Sequence, residues 1–341
     1  MVANVKKARL FFLLILLTVA IAVWWYEHGT LTLHGGLEHF VQEQRLSHGE
    51  IAIIHHNKII SHFQVGDCDE KYLNAQYPIA SLSKLLTAQV VVKLIGEGKL
   101  QLNDKLFTLL PQLPYANDAG YREITVQHLL QHTAGFDRSK SGDPLFKDDS
   151  SVRGCESAVR VAVSKPLEHE PNKITKYSNV GYCLLGMLIE RVTELNYENA
   201  LLQRLLPQEN INRLVLGGPP TSDIKSGFQI SQSDWYSLGA AGGWFSDAVT
   251  LAKILRYTPP RDLVLQPLPS ELEHMYYYGQ AWRTWLKPNH RLTHYGALSG
   301  FYSFAMKLAD EYVVVALFEG RPSNDEDAAA QLINIFESHL R

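Results

Sequence analysis

The stretch IASLSKLLTAQVVVKL, residues 79–94, is almost entirely apolar, yet it carries a serine near its start and a lysine three residues later. Apolar residues on nearly every face predict a buried helix over residues 81–95. Ser81 and Lys84 then lie on one face of this helix, about 5–6 Å apart. The stretch contains no carboxylate that pairs with the lysine.

A buried ammonium without a partner is costly, and the positive potential of a helix N-terminus also favours the neutral amine of Lys84. A neutral amine beside a hydroxyl places a base beside a nucleophile. The same Ser-x-x-Lys spacing occurs at Ser222 and Lys225, but in a polar, turn-like segment with no buried helix. The context therefore favours Ser81 as the nucleophile and Lys84 as its proton acceptor.

A second motif lies in KYSNVGYCLLGMLIERVTEL, residues 176–195, where Tyr177 and Asn179 precede another apolar helix. A tyrosine close to Lys84 can share its proton, act as general base and return the proton to a leaving group. Asn179 is expected to hold both the lysine and a substrate carbonyl. The alternative is a loop at a helix N-terminus with a packed tyrosine.

A third motif lies in RLTHYGALSGFYSF, residues 291–304, where His294 and Gly296 end a predicted strand. A glycine at this position lets a substrate backbone approach closely. The N–H groups of Ala297 and Ser81 are expected to form an oxyanion hole for a tetrahedral intermediate.

Short β-prone runs occur near both ends of the chain, and the middle is mostly helical and rich in loops. The predicted strands are residues 50–55, 59–64, 291–296, 301–308 and 311–318, and a final helix is predicted at about 325–340. This pattern predicts an α+β fold: one antiparallel sheet built from both termini, flanked by helices, with an inserted, mainly helical lobe. Such layouts place a cleft between the lobes.

The N-terminus carries three basic residues followed by an apolar run over residues 10–26. This pattern is typical of a secretory signal or of a single membrane anchor. Ala20, Ile21 and Ala22 form a candidate cleavage site, whereas the aromatic residues 24–26 resemble an interfacial belt and favour an uncleaved anchor. We assign residues 1–27 to this segment and residues 28–341 to one folded domain outside the cytoplasm, on the periplasmic or cell-surface side.

Composition narrows the class of protein further. The chain has 341 residues and a formal net charge of −3, which lacks the basic footprint of a nucleic-acid binder. It contains no metal-ligand spacing and no phosphate-binding glycine loop, so we expect no metal and no cofactor.

Cys68, Cys155 and Cys183 form no C-x-x-C pair. We favour small buried cysteine side chains, although two of them can pair in an oxidising compartment.

The three motifs, taken in this order and about a hundred residues apart, resemble those of the serine β-lactamase and penicillin-binding-protein superfamily. The closest resemblance is to the class C β-lactamase-like branch of esterases and D-amino-acid peptidases. The segments LLQHTAGF, EGKLQLNDKLFTLLP and AAGGWFS resemble further parts of that family. The resemblance covers about residues 36–340 and implies a β-lactamase/transpeptidase-like fold.

The resemblance implies roles for individual residues. Ser81 would be the acylated nucleophile, Lys84 its proton partner and Tyr177 the general base and acid. The residues implied around the substrate are Asn179, His294, Gly296 and Ala297. His294 stands where the family's strand motif has a lysine, and a histidine is only partly charged at neutral pH. We therefore expect weaker binding of anionic penicillins and a relative preference for esters or neutral amides.

Together these observations predict a serine hydrolase that cleaves an ester or amide acyl donor, a small molecule or a peptide, through an acyl-Ser81 intermediate. Esterase or D-aminoacyl peptidase activity is favoured over true β-lactamase activity. The alternative is a membrane-tethered sensor that binds penicillin or cell-wall peptides and turns over slowly. Turnover of a small ester separates the two, since a sensor stays acylated.

Overall fold

The computed structural model describes Thr18 and residues 32–148, 151–205, 213–218, 230–257, 264–286, 290–298, 300–308 and 312–340. The anchor expected over residues 1–27 therefore lies outside the described residues, apart from Thr18. Within the described ranges, no helix combines the length and the apolar character needed to cross a bilayer.

The largest sheet of the described residues is antiparallel and has seven strands in the order β2-β1-β12-β11-β10-β9-β8. The strands in chain order are β1 His48–His55, β2 Lys58–Gly66, β3 Tyr77–Pro78, β4 Phe146–Asp148, β5 Ser151–Val152, β6 Val215–Leu216, β7 Trp244–Ser246, β8 Tyr276–Gly279, β9 Trp282–Trp285, β10 Arg291–Leu298, β11 Phe301–Leu308 and β12 Tyr312–Glu319. Strand β1 pairs with β12 along its full length, from His48 opposite Glu319 to His55 opposite Tyr312. This pairing confirms a sheet built from both ends of the chain.

Helices cover both faces of this sheet. They are α1 Leu33–Glu43, α2 Ser83–Gly96, α3 Leu106–Leu109, α4 Val126–Leu130, α5 Arg138–Ser141, α6 Cys155–Val163, α7 Asn179–Thr193, α8 Tyr197–Leu205, α9 Gln232–Ser237, α10 Gly239–Gly242, α11 Ala248–Leu255 and α12 Asp325–Leu340. Helices α2 to α11 belong to the segment between β2 and β8, as the helical middle of the sequence predicts. The expected α+β fold is confirmed.

Two hydrophobic cores result from the alternation of side chains along the strands. On β1, Ala52 and Ile54 face the inserted lobe, where they join the core that surrounds α2 and α7. Ile51 and Ile53 face the opposite side, where they pack with residues of α1 and α12. The central strands are therefore apolar on both faces, and the inserted lobe packs against one of these faces.

The nucleophile segment differs from its prediction in one detail. Ser81 lies in a 3-10 turn, Ala80–Leu82, and α2 begins only at Ser83. Ala80 has a φ of 45°, a left-handed conformation that costs a residue with a Cβ about 1–3 kcal/mol. The sheet holds the turn in place, because the Ser303 hydroxyl donates to the Ile79 carbonyl at 2.8 Å.

A disulfide joins Cys155 at the start of α6 to Cys183 in α7, 28 residues later in the chain. The favoured expectation of small buried cysteine side chains is therefore wrong for this pair, which realises the alternative of a disulfide, and for the exposed Cys68. The packing of α6 against α7 brings the pair together, which the sequence spacing does not reveal. Cys68 is exposed and unpaired in the part of the chain that the structure describes.

Candidate active site

Ser81 and Lys84 contact each other as the helical spacing predicts. Lys84 Nζ donates to Ser81 Oγ at 3.1 Å and to the Ala241 carbonyl at 2.5 Å. The lysine is fully buried, whereas Ser81 is partly exposed to the cleft. No carboxylate of the described residues forms an ion pair with Lys84.

Burial determines the protonation state of this lysine. Desolvation holds the pKa of Lys84 well below its usual 10.5, and the more distant charge of Asp143 only partly opposes that effect. The carbonyl of Ala241 is a suitable neutral acceptor, because it lies in the last turn of α10, where carbonyls have no partner within the helix. The side chain is thus a buried amine with a hydroxyl as its neighbour.

Tyr177 lies beside this pair. Lys84 Nζ is 5.0 Å from the centre of the Tyr177 ring. Burial raises the pKa of Tyr177, and a hydrogen bond with the Ser81 side chain acts in the opposite direction. The phenol therefore keeps its proton at neutral pH, and the deprotonated amine of Lys84 is the stronger candidate for the base.

The loop before α7 fixes the position of this tyrosine. Ser178 caps α7, since its hydroxyl accepts from the Gly181 N–H at 3.2 Å. The Ser178 N–H donates in turn to His132 Nδ1 at 3.1 Å. The centre of the His132 ring lies 4.6 Å from that of Tyr177, with the two rings tilted by 34°, and burial holds the pKa of His132 well below 6.5. His132 is thus a neutral support behind Tyr177.

Asn179 lines the cleft, but its observed partner is not the lysine. Its Nδ2 donates to Asp143 Oδ2 at 2.6 Å, while Lys84 donates to Ser81 and to a backbone carbonyl. The expected contact between Asn179 and Lys84 is therefore absent from the hydrogen bonds of these described residues. A role of Asn179 toward substrate stays a prediction.

The structure gives Gly296 a sharper role than the sequence does. A Cβ at this position would lie 2.7 Å from the Ser81 nitrogen and 2.6 Å from the Ile79 carbonyl oxygen. Glycine therefore allows β10 to pack directly against the nucleophile turn. The close approach is made by the protein's own backbone rather than by a substrate. The next residue on β10, Ala297, lines the cleft together with Ser81, as the predicted oxyanion hole requires.

His294 lies on the same strand, β10, and is only 3% exposed. Its Nδ1 lies 2.7 Å from the Tyr295 carbonyl, so the proton of the neutral ring is placed there. Burial, with the nearby charge of Arg283, holds the pKa of His294 well below 6.5. The ring is therefore neutral at physiological pH, not partly charged as expected. Nothing at this position replaces the positive charge of the family's lysine.

The cleft consists of two cavities that meet at Ser81, of about 880 and 690 Å³. Tyrosines and charged side chains form much of the wall of the first cavity; the tyrosines are Tyr177, Tyr276, Tyr277, Tyr278 and Tyr295. The second cavity is bounded by α5, by the segment that follows it and by Asn179. Arg138 and Arg321 line both cavities.

Three charged residues of the cleft have no motif in the sequence. Arg138 stacks 4.8 Å above the Tyr177 ring, and Asp143 contacts both Arg138 and Asn179. Arg283 is buried on β9 and pairs with Glu326. Arg138 begins the short helix α5 and Asp143 lies just after it, and no pattern in the sequence marks either residue. In the described ranges, no group of three metal-ligating side chains occurs.

Comparisons with known proteins agree with this arrangement. The sequence model of the Beta-lactamase family matches residues 36–337. The probable fimbrial assembly protein FimD, serogroup H1, of Dichelobacter nodosus is 35% identical over 156 residues, which are 44% of this chain and 39% of that protein. The matched segment thus spans well under half the length of this curated relative.

Solved structures share the fold at low sequence identity. The D-amino acid amidase from Ochrobactrum anthropi SV3 has a TM-score of 0.71 at 18% identity, over 90% of this chain and 98% of that one. EstCE1, a hydrolase with promiscuous acyltransferase activity, has a TM-score of 0.71 at 18% identity, over 92% and 99% of the two chains. With the family match over most of its length, the chain belongs to the Beta-lactamase family.

Proposed function

We propose that this protein hydrolyses ester or amide acyl donors whose acyl part carries no carboxylate, with D-aminoacyl amides, peptides and small esters as the substrate class, through a covalent acyl-Ser81. One observation carries the proposal: the Ser81 hydroxyl contacts a fully buried lysine that has no carboxylate partner among the described residues. Such an amine is available as a base near neutral pH, and a hydroxyl within hydrogen-bond reach of it is an activated nucleophile.

Acylation follows from this geometry. Ser81 Oγ attacks the substrate carbonyl carbon, and the hydroxyl proton passes to the Lys84 amine. The carbonyl π electrons move to the oxygen, and the N–H groups of Ser81 and Ala297 stabilise the resulting oxyanion. When the tetrahedral intermediate collapses, the bond to the leaving group breaks. Tyr177 donates its proton to that group and is reprotonated by the Lys84 ammonium.

Deacylation uses the same groups in reverse. A water molecule attacks the acyl carbon and loses its proton to Tyr177 and Lys84, which act as one unit. The bond to Ser81 Oγ breaks, the serine recovers its proton and the product acid leaves. In the proposed resting site the phenol is protonated and the amine is neutral, the states that burial favours by raising the pKa of Tyr177 and lowering that of Lys84.

The substrate class is inferred from the walls of the cleft. The neutral His294 supplies no positive charge at its strand position, and the tyrosines offer apolar and hydrogen-bonding surface. The three arginines that line the same cavity are each paired with a carboxylate of the protein: Arg138 with Asp143, Arg283 with Glu326 and Arg321 with Asp325. Two fold neighbours, a D-amino acid amidase and a hydrolase with promiscuous acyltransferase activity, are compatible with such substrates. Weak binding of penicillins, which carry a carboxylate, follows from the same surface.

We further propose that the domain works outside the cytoplasm, tethered through residues 1–27. The disulfide between Cys155 and Cys183 supports an oxidising compartment, because such bonds are rare in the cytosol. The basic residues before the apolar run support the same orientation.

The test is the intact mass of the purified protein after addition of D-phenylalanine amide, a p-nitrophenyl ester or a fluorescent penicillin. We expect an acyl adduct on Ser81 and turnover of the ester. Ser81→Ala should lower the rate at least about 10³-fold. Ser222→Ala, in the second Ser-x-x-Lys pattern, is the matched control and should leave the rate unchanged. A stable adduct without turnover would indicate a sensor, and the absence of any adduct would contradict the proposal.

A further inference from the structure

A carboxylate of the protein itself lies in the cleft and contacts two polar groups near the nucleophile. Asp143 Oδ2 accepts from Asn179 Nδ2 at 2.6 Å and from Arg138 Nη1 at 3.4 Å. Its other oxygen, Oδ1, accepts from the Leu145 N–H at 3.1 Å, which fixes the carboxylate to its own loop. The Asp143 side chain is only 17% exposed, so water screens these contacts incompletely.

These groups share one cavity with the nucleophile. Ser81, Arg138, Asp143 and Asn179 all line the cavity of about 690 Å³. Arg138 also stacks on Tyr177, the group that faces the Ser81–Lys84 pair. A substrate that reaches Ser81 through this cavity therefore meets the Asp143 carboxylate and its two partners.

The contacts limit what the subsite can bind. A carboxylate only accepts hydrogen bonds, so the Asn179 amide must turn its NH₂ toward Asp143. The Asn179 Oδ1 atom then remains for a substrate N–H. The charge of Arg138 is balanced by Asp143 at the same time, and a substrate carboxylate that approached Arg138 would meet a like charge.

We propose that Asp143 determines the specificity of this site: by engaging Arg138 and Asn179, it makes the subsite reject carboxylate-bearing acyl donors and accept uncharged ones that present an N–H. The inference deepens the proposed function and rests on it. Asp143 is a positioning and specificity-determining residue, not a catalytic one, since it does not touch Ser81 in the described hydrogen bonds.

Electrostatics connect the same carboxylate to the base. The charge of Asp143 raises the pKa of Lys84, and that of Arg138 lowers it. Removal of the carboxylate should therefore move the acid limb of the acylation rate to lower pH. A residue that only held the loop in place would not produce this shift.

The experiment compares two p-nitrophenyl esters, the monoester of glutaric acid and the ester of glutaramic acid. The far end of the acyl chain is a carboxylate in the first and an uncharged amide in the second. The measured quantity is kcat/KM for the anionic ester divided by kcat/KM for the neutral ester. We expect Asp143→Asn to raise this ratio roughly tenfold. That size lies between the free energy of an exposed ion pair and that of a charge-assisted hydrogen bond. Arg138→Gln alone should lower the ratio, because it leaves Asp143 unbalanced. When Asp143→Asn and Arg138→Gln are combined, the rise in the ratio that Asp143→Asn alone produces should disappear. Glu156→Gln, which breaks an exposed pair with Arg160 on α6, is the control of equal charge change.

A binding measurement separates this inference from the proposed function. In a Ser81→Ala background, calorimetry with glutarate and glutaramate should show the same roughly tenfold change on Asp143→Asn. A shift in binding without any ester turnover would refute the hydrolase proposal alone. An unchanged ratio in both assays, with wild-type folding by circular dichroism, would refute the role of Asp143. If Asp143→Asn does not fold, the test rests on the kcat/KM ratio of the anionic to the neutral ester in Arg138→Gln. A lower ratio than in the wild type supports the role of Asp143 in specificity, and an equal or higher ratio refutes it.

Discussion

Two cations are buried beside the same cleft, and they differ in what surrounds them. Arg283 donates to both oxygens of Glu326, at 2.6 and 2.8 Å, and to the Tyr278 hydroxyl at 3.1 Å. Lys84 donates only to a hydroxyl and a backbone carbonyl among its described partners. Both side chains are at most about a tenth exposed, so burial does not distinguish them.

The difference shows that a partner, and not burial, decides whether a buried cation is structural or reactive. Desolvation acts against the charge of Arg283, but the surrounding phenols and Glu326 overcome it and raise its pKa. For Lys84 the same desolvation is only partly opposed, and its pKa falls. The guanidinium is thus a fixed charge that ties β9 to α12, and the amine is a base.

The largest expected effect is on the unpaired cation. Lys84→Met removes the base and should lower the acylation rate by about 10²–10⁴-fold, the usual range for a general base. The fold should remain, because methionine fills a similar volume and its burial carries no charge to desolvate. Stopped-flow acylation and thermal melting measure the two quantities.

Lys93→Met is the matched control for this prediction. Lys93 lies on the same helix and donates to the Arg204 carbonyl at 2.7 Å, far from the cleft. Its substitution should leave acylation within about twofold of wild type, since it touches no reacting group. Equal losses in the two variants would mean that Lys84 acts through the stability of α2 and not as a base.

An intermediate effect is expected for the paired cation, and it concerns stability. Glu326→Gln leaves the Arg283 charge buried without a carboxylate. Breaking a buried pair costs about 3–5 kcal/mol, but the Glu326 side chain is 56% exposed, so we expect a loss of about 1–2 kcal/mol in the free energy of unfolding. Urea denaturation measures this loss. An unchanged urea midpoint in Glu326→Gln would show that water already solvates the Arg283 guanidinium. The two buried side chains, Arg283 and Lys84, would then not differ in their dependence on a carboxylate partner.

The sequence predicted the features that depend on local spacing. The contact between Ser81 and Lys84 follows from the i,i+3 geometry, and the β1–β2 hairpin follows from β-prone runs around a turn with an asparagine. In that turn His56 and Asn57 both have a positive φ, which asparagine tolerates. The hairpin of β8 and β9 turns instead at Gln280 and Ala281, at φ values of 48° and 71°. Neither residue is a turn signal, so this hairpin was missed.

The parts of the site that depend on distant contacts were not predictable in the same way. The 3-10 turn that holds Ser81 forms against β10 and β11, more than two hundred residues later in the chain. Asp143 and Arg138 lie in a segment without periodicity, and only the folded structure brings them to Asn179. The pairing of Cys155 with Cys183 depends likewise on how α6 packs on α7.

The smallest expected effect tests how a nearby charge tunes the unpaired cation. Acylation should rise with pH as Lys84 loses its proton, and the charge of Arg138 lowers the pKa of Lys84. Arg138→Gln should therefore move the acid limb of the rate to higher pH, reducing acylation below the midpoint and leaving the plateau at high pH unchanged.

The Arg138 side chain is half exposed, so this shift should be small and should disappear at about 1 M salt, where the Debye length is about 3 Å. Arg160→Gln, an exposed arginine on α6, is the control and should leave the limb in place. Rate profiles at low and high salt measure both variants. A limb that moves to lower pH in Arg138→Gln would mean that Lys84 is not the group that titrates, and the contrast between the two buried cations would then have no catalytic meaning.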